Sequence, residues 1–70
     1  MAHVRNRVRE YRTYHALTQE SLANYIGVRR ETILHIEYQR YAPSLPLAFK
    51  IARAFDADLE DVFLWEEETE

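Results

Sequence analysis

The chain has 70 residues, no cysteine and a formal net charge of −3 at pH 7. The lack of cysteine excludes disulfides, thiolate metal sites and cysteine nucleophiles, and a hydrophobic content of 47% argues against disorder. No apolar run approaches the roughly 18 residues of a membrane span. We therefore expect one small helical domain over residues 1–70, located in the cytoplasm, with no membrane contact.

The charges are unevenly distributed along the chain. Residues 1–41 contain seven arginines and four acidic residues, whereas residues 42–70 contain Lys50 and Arg53 against eight acidic residues. A basic first half favours a polyanionic partner at that end. A solvated surface with an acidic end, residues 66–70, explains the same distribution equally well.

A first helix is predicted near the N-terminus. Val4, Val8 and Tyr11 recur at the i, i+4, i+7 spacing of a helical face. The pattern predicts a helix from about residue 4 to residue 14.

Thr18 and Gly27 bound a predicted second helix. Threonine is a favoured N-cap residue, and Gly27, the only glycine of the chain, is suited to a left-handed residue that ends a helix. The inner face of this helix is formed by Leu22, Ala23 and Ile26.

A third helix is predicted from Arg29 to about Tyr38, with Ile33 and Ile36 on its inner face and Val28 filling the turn before it. The outer face of this helix is then left to polar side chains. Two short amphipathic helices joined by a glycine turn have the geometry of a helix-turn-helix.

Two more helices are predicted in the second half. Ser44 follows Pro43 and caps a fourth helix whose buried positions are Leu47, Ala48, Ile51, Ala52 and Phe55. Asp58 starts a short fifth helix that contains Leu59, Val62 and Phe63. The final apolar segment, Phe63-Leu64-Trp65, is either an extended edge or a tail.

The segment from Leu17 to Phe63 resembles a known family. The runs LTQESLANYIGVRRETILHIE and RYAPSLPLAFKIARAFDADLEDVF are similar to the Cro/repressor (XRE-type) helix-turn-helix regulators, especially the short single-domain members of the cytolysin repressor type. The resemblance covers about residues 4–67. It implies an all-α, five-helix, lambda-repressor-like fold with the helix-turn-helix at the second and third helices.

The resemblance also implies how such a protein would contact DNA. It places the third helix in the major groove and implies a homodimer on a two-fold operator. The implied base contacts are Arg30, Glu31 and His35, with Arg29 at the groove margin. The candidate phosphate contacts are Gln19, Thr18, Arg40 and Tyr38.

Two further residue groups have proposed structural roles. Arg12 and Glu37 match the pair that ties the first helix to the third in this family. Dimer contact is the leading hypothesis for the apolar set Phe63, Leu64 and Trp65, and packing on the same chain is the alternative.

One departure from the family pattern follows the third helix. The family often has Asn-Gly where this chain has Tyr38-Gln39. Either Gln39 takes a left-handed conformation, at a cost of about 1 kcal/mol, or the helix continues for one more residue.

The leading hypothesis is a sequence-specific DNA-binding transcriptional regulator, a repressor that acts as a homodimer and needs no cofactor or small-molecule ligand. The alternative is an antitoxin-like interaction module that neutralises a partner protein through its acidic half. An enzyme is disfavoured, because the three histidines lack metal-ligand spacing and a phosphate-binding loop needs more than one glycine.

Overall fold

The computed structural model of the protein describes residues 2–67. Within that range the elements in chain order are β1 (Ala2–Asn6), α1 (Val8–Tyr14), α2 (Gln19–Ile26), α3 (Arg30–Glu37), α4 (Leu45–Ala54), α5 (Leu59–Val62) and β2 (Phe63–Glu67). The five predicted helices are confirmed, except that Phe63 begins β2 instead of belonging to α5, and a two-stranded sheet accompanies them. Across the same residues, none of the helices combines the length and hydropathy that crossing a membrane requires.

The structure of the N-terminal segment differs from the prediction. The prediction that the first helix begins at about residue 4 is wrong. Residues 2–6 form β1, which pairs antiparallel with β2 so that Val4 lies opposite Trp65. The helix begins only at Val8, whose backbone N–H donates to the side-chain oxygen of Asn6 at 3.1 Å. Strand pairing with the far end of the chain therefore overrides the helical spacing of Val4, and the C-terminal apolar segment is a strand.

The predicted caps of α2 and α4 are confirmed. Thr18 Oγ1 accepts a hydrogen bond from the Ser21 N–H, and Ser21 Oγ accepts one from the Thr18 N–H, both at 2.9 Å. Ser44 Oγ accepts from the Leu47 N–H at 3.3 Å. Ser21 thus replaces the acidic residue usual in a capping box.

Among residues 2–67, four helices are followed by a left-handed residue, and only one of these residues is glycine. Gly27 has φ +93°, as predicted, while Ala16, Gln39 and Asp56 have φ of +57°, +61° and +53°. Of the two alternatives for Gln39, the structure therefore adopts the left-handed one. Each such residue lets the chain reverse direction while the last carbonyls of the helix are satisfied.

The core lies where one face of each helix meets the others. It consists of Val8, Leu22, Ala23, Ile33, Ile36, Ile51, Ala52, Phe55 and Val62. The stacked rings of Tyr11 and Phe55, with centroids 5.6 Å apart, close one side of it. This packing fixes α3 against the remaining helices through its inner face alone.

Candidate nucleic-acid interface

The two sides of α3 have opposite environments. Ile33 and Ile36 are completely buried against the core. The polar residues at the start and along the outer side are all exposed, namely Arg29, Arg30, Glu31 and His35. The structure therefore leaves all four predicted base-contacting residues accessible to a partner.

Arg29 and Arg30 stand at the N-terminus of α3. Arg29 is the N-cap residue and Arg30 the first helical residue. Among residues 2–67, neither guanidinium lies within ion-pair distance of a carboxylate. Because the N-terminus of a helix is itself electropositive, two cations there are unfavourable alone and are stabilised by an anion.

Glu37 lies at the other end of α3, with its side chain shielded from solvent, and connects three helices. Arg12 Nε donates to Glu37 Oε2 at 2.7 Å, and Arg12 Nη2 to Glu37 Oε1 at 3.3 Å. Arg12 Nη1 also donates to the Leu17 carbonyl at 2.7 Å, and the two side chains are only 15% and 4% exposed. The structure thus places this ion pair between α1 and α3.

Gln19, at the first position of α2, joins the same network. Its Nε2 donates to Glu37 Oε1 at 3.2 Å. The neighbouring Thr18 uses its hydroxyl in the cap of α2 and remains exposed. The network therefore fixes the Gln19 amide beside the end of α3.

Tyr38 and Arg40 follow α3 on the exposed side. The Tyr38 side chain is largely accessible, and the Arg40 guanidinium lies 5.5 Å above its ring centroid. A small hollow of about 110 Å³ is lined by Arg9, Arg12, Gln19, Glu37 and Tyr38. Two candidate phosphate contacts, Gln19 and Tyr38, thus border one depression.

Arg9 is a cation of this hollow that sequence reasoning missed. It is exposed, and within the described residues it has no carboxylate at ion-pair distance. Its position three residues before Arg12 puts both side chains on one face of α1. The i, i+3 spacing of the two arginines is the sequence signal that could have indicated this position of Arg9.

The apolar C-terminal residues divide between two environments. Phe63 packs against the core and Leu64 is half-buried. Trp65 is 67% exposed, and Val4, opposite it on β1, is 44% exposed. An accessible apolar pair on the sheet thus remains for an external contact.

Glu66, the first residue of the acidic run, pairs across the sheet with two residues of β1. Glu66 lies 3.3 Å from His3 Nε2 and 3.5 Å from Arg5 Nη1. Residues 68–70 of the acidic run lie outside the described residues.

The family described as Helix-turn-helix matches residues 8–62, a range that includes α2, the Gly27 turn and α3. The chain belongs to this family. The resemblance to the Cro/repressor (XRE-type) regulators is thereby confirmed, and this helix-turn-helix protein is a DNA-binding transcriptional regulator rather than an enzyme.

Relatives and solved structures extend the comparison. An uncharacterized HTH-type transcriptional regulator of Archaeoglobus fulgidus is 52% identical over 65 residues, which are 93% of each chain. The restriction-modification controller protein C.AhdI from Aeromonas hydrophila is 33% identical, with a TM-score of 0.73 over 77% of this chain and 82% of that one. A Bacteroides fragilis structure with a TM-score of 0.80, covering 87% of this chain and 98% of that one, shares the fold at 23% identity.

Proposed function

We propose that this helix-turn-helix protein is a transcriptional repressor that binds a palindromic operator as a homodimer, with α3 in the major groove. The observation that supports this most strongly is the outer face of α3, where Arg29 and Arg30 are exposed and have no carboxylate partner among residues 2–67. A helix fits the major groove of B-DNA, and phosphates supply the missing negative charge.

The outer face of α3 offers distinct chemistry for base contacts. Arg30 has the two donors that match guanine O6 and N7, and Glu31 can accept from cytosine N4. His35 lies one turn from Glu31, on the same face. Arg29, at the N-cap, is positioned for the edge of the groove.

The phosphate contacts flank that helix in this proposal. Gln19 and Tyr38 border the hollow beside α3, Arg40 lies against the Tyr38 ring, and Thr18 starts α2. Arg9 is added to this group because it lines the same hollow. Such contacts fix the orientation of the protein on the duplex.

The dimer contact is assigned to β2, through Phe63, Leu64 and Trp65. The exposure of Trp65, with Val4 beside it, supports this assignment, since aromatic residues are enriched at interfaces. In such a dimer the two copies of α3 lie about 34 Å apart, one turn of DNA. Residues 1–70 form one DNA-binding unit that occludes a promoter in the cytoplasm, without a cofactor.

Selection of bound sequences from a random DNA pool tests this proposal. We expect an enriched inverted repeat whose half-sites are about 10 base pairs apart, centre to centre. An Arg30→Ala variant in a parallel selection is expected to lose preference at one base pair of each half-site.

A pool without enrichment would contradict the proposal and would favour the antitoxin-like alternative, in which the partner is a protein. Enrichment of a single, unrepeated site would contradict the homodimer while leaving DNA binding intact.

A further inference from the structure

Gln39 occupies an unusual position directly after the recognition helix. Its φ is +61°, a conformation for which glycine or asparagine is usual at the end of a helix. The Gln39 N–H donates to the Ile36 carbonyl and the Arg40 N–H to the His35 carbonyl, both at 3.0 Å. A shorter residue would complete this turn equally well, so the turn does not explain the glutamine side chain.

The Gln39 amide instead bonds both backbone groups of Asn6 on β1. Gln39 Oε1 accepts from the Asn6 N–H at 3.2 Å, and Gln39 Nε2 donates to the Asn6 carbonyl at 3.2 Å. The Asn6 side-chain amide adds donations to Gln39 Oε1 at 3.2 Å and to the Ile36 carbonyl at 2.8 Å. Four hydrogen bonds thus link one residue of β1 to the end of α3.

Asn6 can make these bonds because its backbone faces the open edge of the sheet. The Arg7 N–H donates to the Val62 carbonyl at 2.8 Å. In an antiparallel ladder, hydrogen-bonded and non-hydrogen-bonded pairs alternate, so the N–H and carbonyl of Asn6 point away from β2. The Gln39 amide pairs with them as a residue of a third strand would.

We infer that Gln39 is a positioning residue that fixes the recognition helix relative to the terminal sheet and so sets the separation of the two half-sites. This inference rests on the proposed homodimeric DNA binding, because β1 pairs with β2 and β2 contains Trp65. Through Gln39, the surface that brings two copies together and the helix that contacts DNA move as one body.

Three variants separate positioning from simple helix termination. Gln39→Gly relieves the strain of the left-handed conformation but removes the side-chain amide. Gln39→Asn keeps a residue suited to that conformation, with a side chain one methylene shorter. Ala16→Gly is the matched control, since Ala16 ends α1 at φ +57° and lies outside the bridge. If Gln39 only terminates the helix, both glycine variants will raise Tm equally.

Hydrogen exchange measures the bridge directly. We expect the backbone N–H of Asn6 to exchange at least about tenfold faster in Gln39→Gly than in the wild type, because its acceptor, Gln39 Oε1, is gone. The same amide should keep its wild-type rate in Ala16→Gly. An unchanged Asn6 rate in Gln39→Gly would overturn the bridge.

Half-site separation is the functional readout. Binding is measured to the selected operator and to versions with one base pair added or removed between the half-sites. We expect the wild type and Ala16→Gly to discriminate between these operators, and Gln39→Gly and Gln39→Asn to lose at least about fivefold of that discrimination, the lower end of typical coupling between sites.

Full discrimination in both Gln39 variants, with Tm raised as in Ala16→Gly, would overturn the inference while leaving the proposed function in place. A wild type that binds no selected DNA would instead overturn the proposed function and the half-site claim together.

Discussion

The buried and the exposed side chains of α3 differ in solvent exposure, in charge pairing and in their roles. Among the buried side chains, Ile33 and Ile36 are fully buried and Glu37 is 4% exposed. Toward solvent, Arg30 and His35 are exposed and have no carboxylate within ion-pair distance among residues 2–67. One eight-residue helix thus holds the fold on one side and offers a charged surface on the other.

This difference separates stability from recognition within a single element. Apolar burial and a shielded ion pair hold α3 against the other helices, and neither uses the outer side chains. Substitutions on the inner side should therefore change the free energy of unfolding, and substitutions on the outer side should change binding.

The largest effect is expected from a buried side chain, with Glu37→Gln. This change removes the charge that faces Arg12 at 2.7 Å. Removing one partner of an ion pair that is shielded from water lowers the free energy of unfolding by about 3–5 kcal/mol. Chemical denaturation of the variant measures the loss. Glu31→Gln, on the exposed side of the same helix, is the control and should change stability by less than about 0.5 kcal/mol.

Equal effects of the two substitutions would break the comparison. So would a stable Glu37→Gln protein that prefers a different DNA sequence, because Glu37 would then belong to the recognition surface.

Arg30→Ala is the corresponding test of the outer side. It should leave Tm nearly unchanged and reduce specific DNA binding by about 1–3 kcal/mol, the value of one bidentate base contact. Titration of the selected operator and of random DNA with the variant measures both affinities. An equal loss on both DNAs would assign Arg30 to a phosphate instead.

Trp65→Ala extends the comparison to the sheet. Because Trp65 is 67% exposed in one copy, its loss should weaken dimerisation by about 1–2 kcal/mol, as truncation at an interface centre does, with little change in the stability of the monomer. Sedimentation at several concentrations measures the dimer. Phe49→Ala, at a 49% exposed aromatic on α4, is the control and should leave the dimer intact, whereas a dimer unaffected by Trp65→Ala would contradict the assignment.

The smallest effect is expected at the end of α1. Ala16 has φ +57°, which costs a residue with a Cβ about 1–2 kcal/mol, so Ala16→Gly should raise stability by about 0.5–1 kcal/mol after the entropy of glycine is included. Thermal unfolding measures the gain, and DNA affinity should not change. A lower Tm would show that the Ala16 side chain contributes to packing.

Local signals predicted much of this fold. Thr18, Gly27 and Ser44 mark helix ends because each cap involves only residues within one turn. The helical spacing of Ile33 and Ile36 likewise predicted which side of α3 is buried, and hence which side is exposed.

Long-range contacts could not be predicted in the same way. The strand that contains Val4 exists because Trp65 lies opposite it, and no local pattern near residue 4 indicates that partner. The bridge between Asn6 and Gln39 and the position of Arg9 beside Gln19 also depend on how the helices pack.

The dependence of DNA affinity on salt tests the central claim, that the exposed face of α3 binds DNA, most directly. A dimer that contacts several phosphates should lose about a thousandfold or more in affinity between about 50 and 200 mM salt. We expect this fall for the wild type on both the selected operator and random DNA, with the operator preferred throughout. A flat response, or no preference for the operator at any salt concentration, would contradict the account.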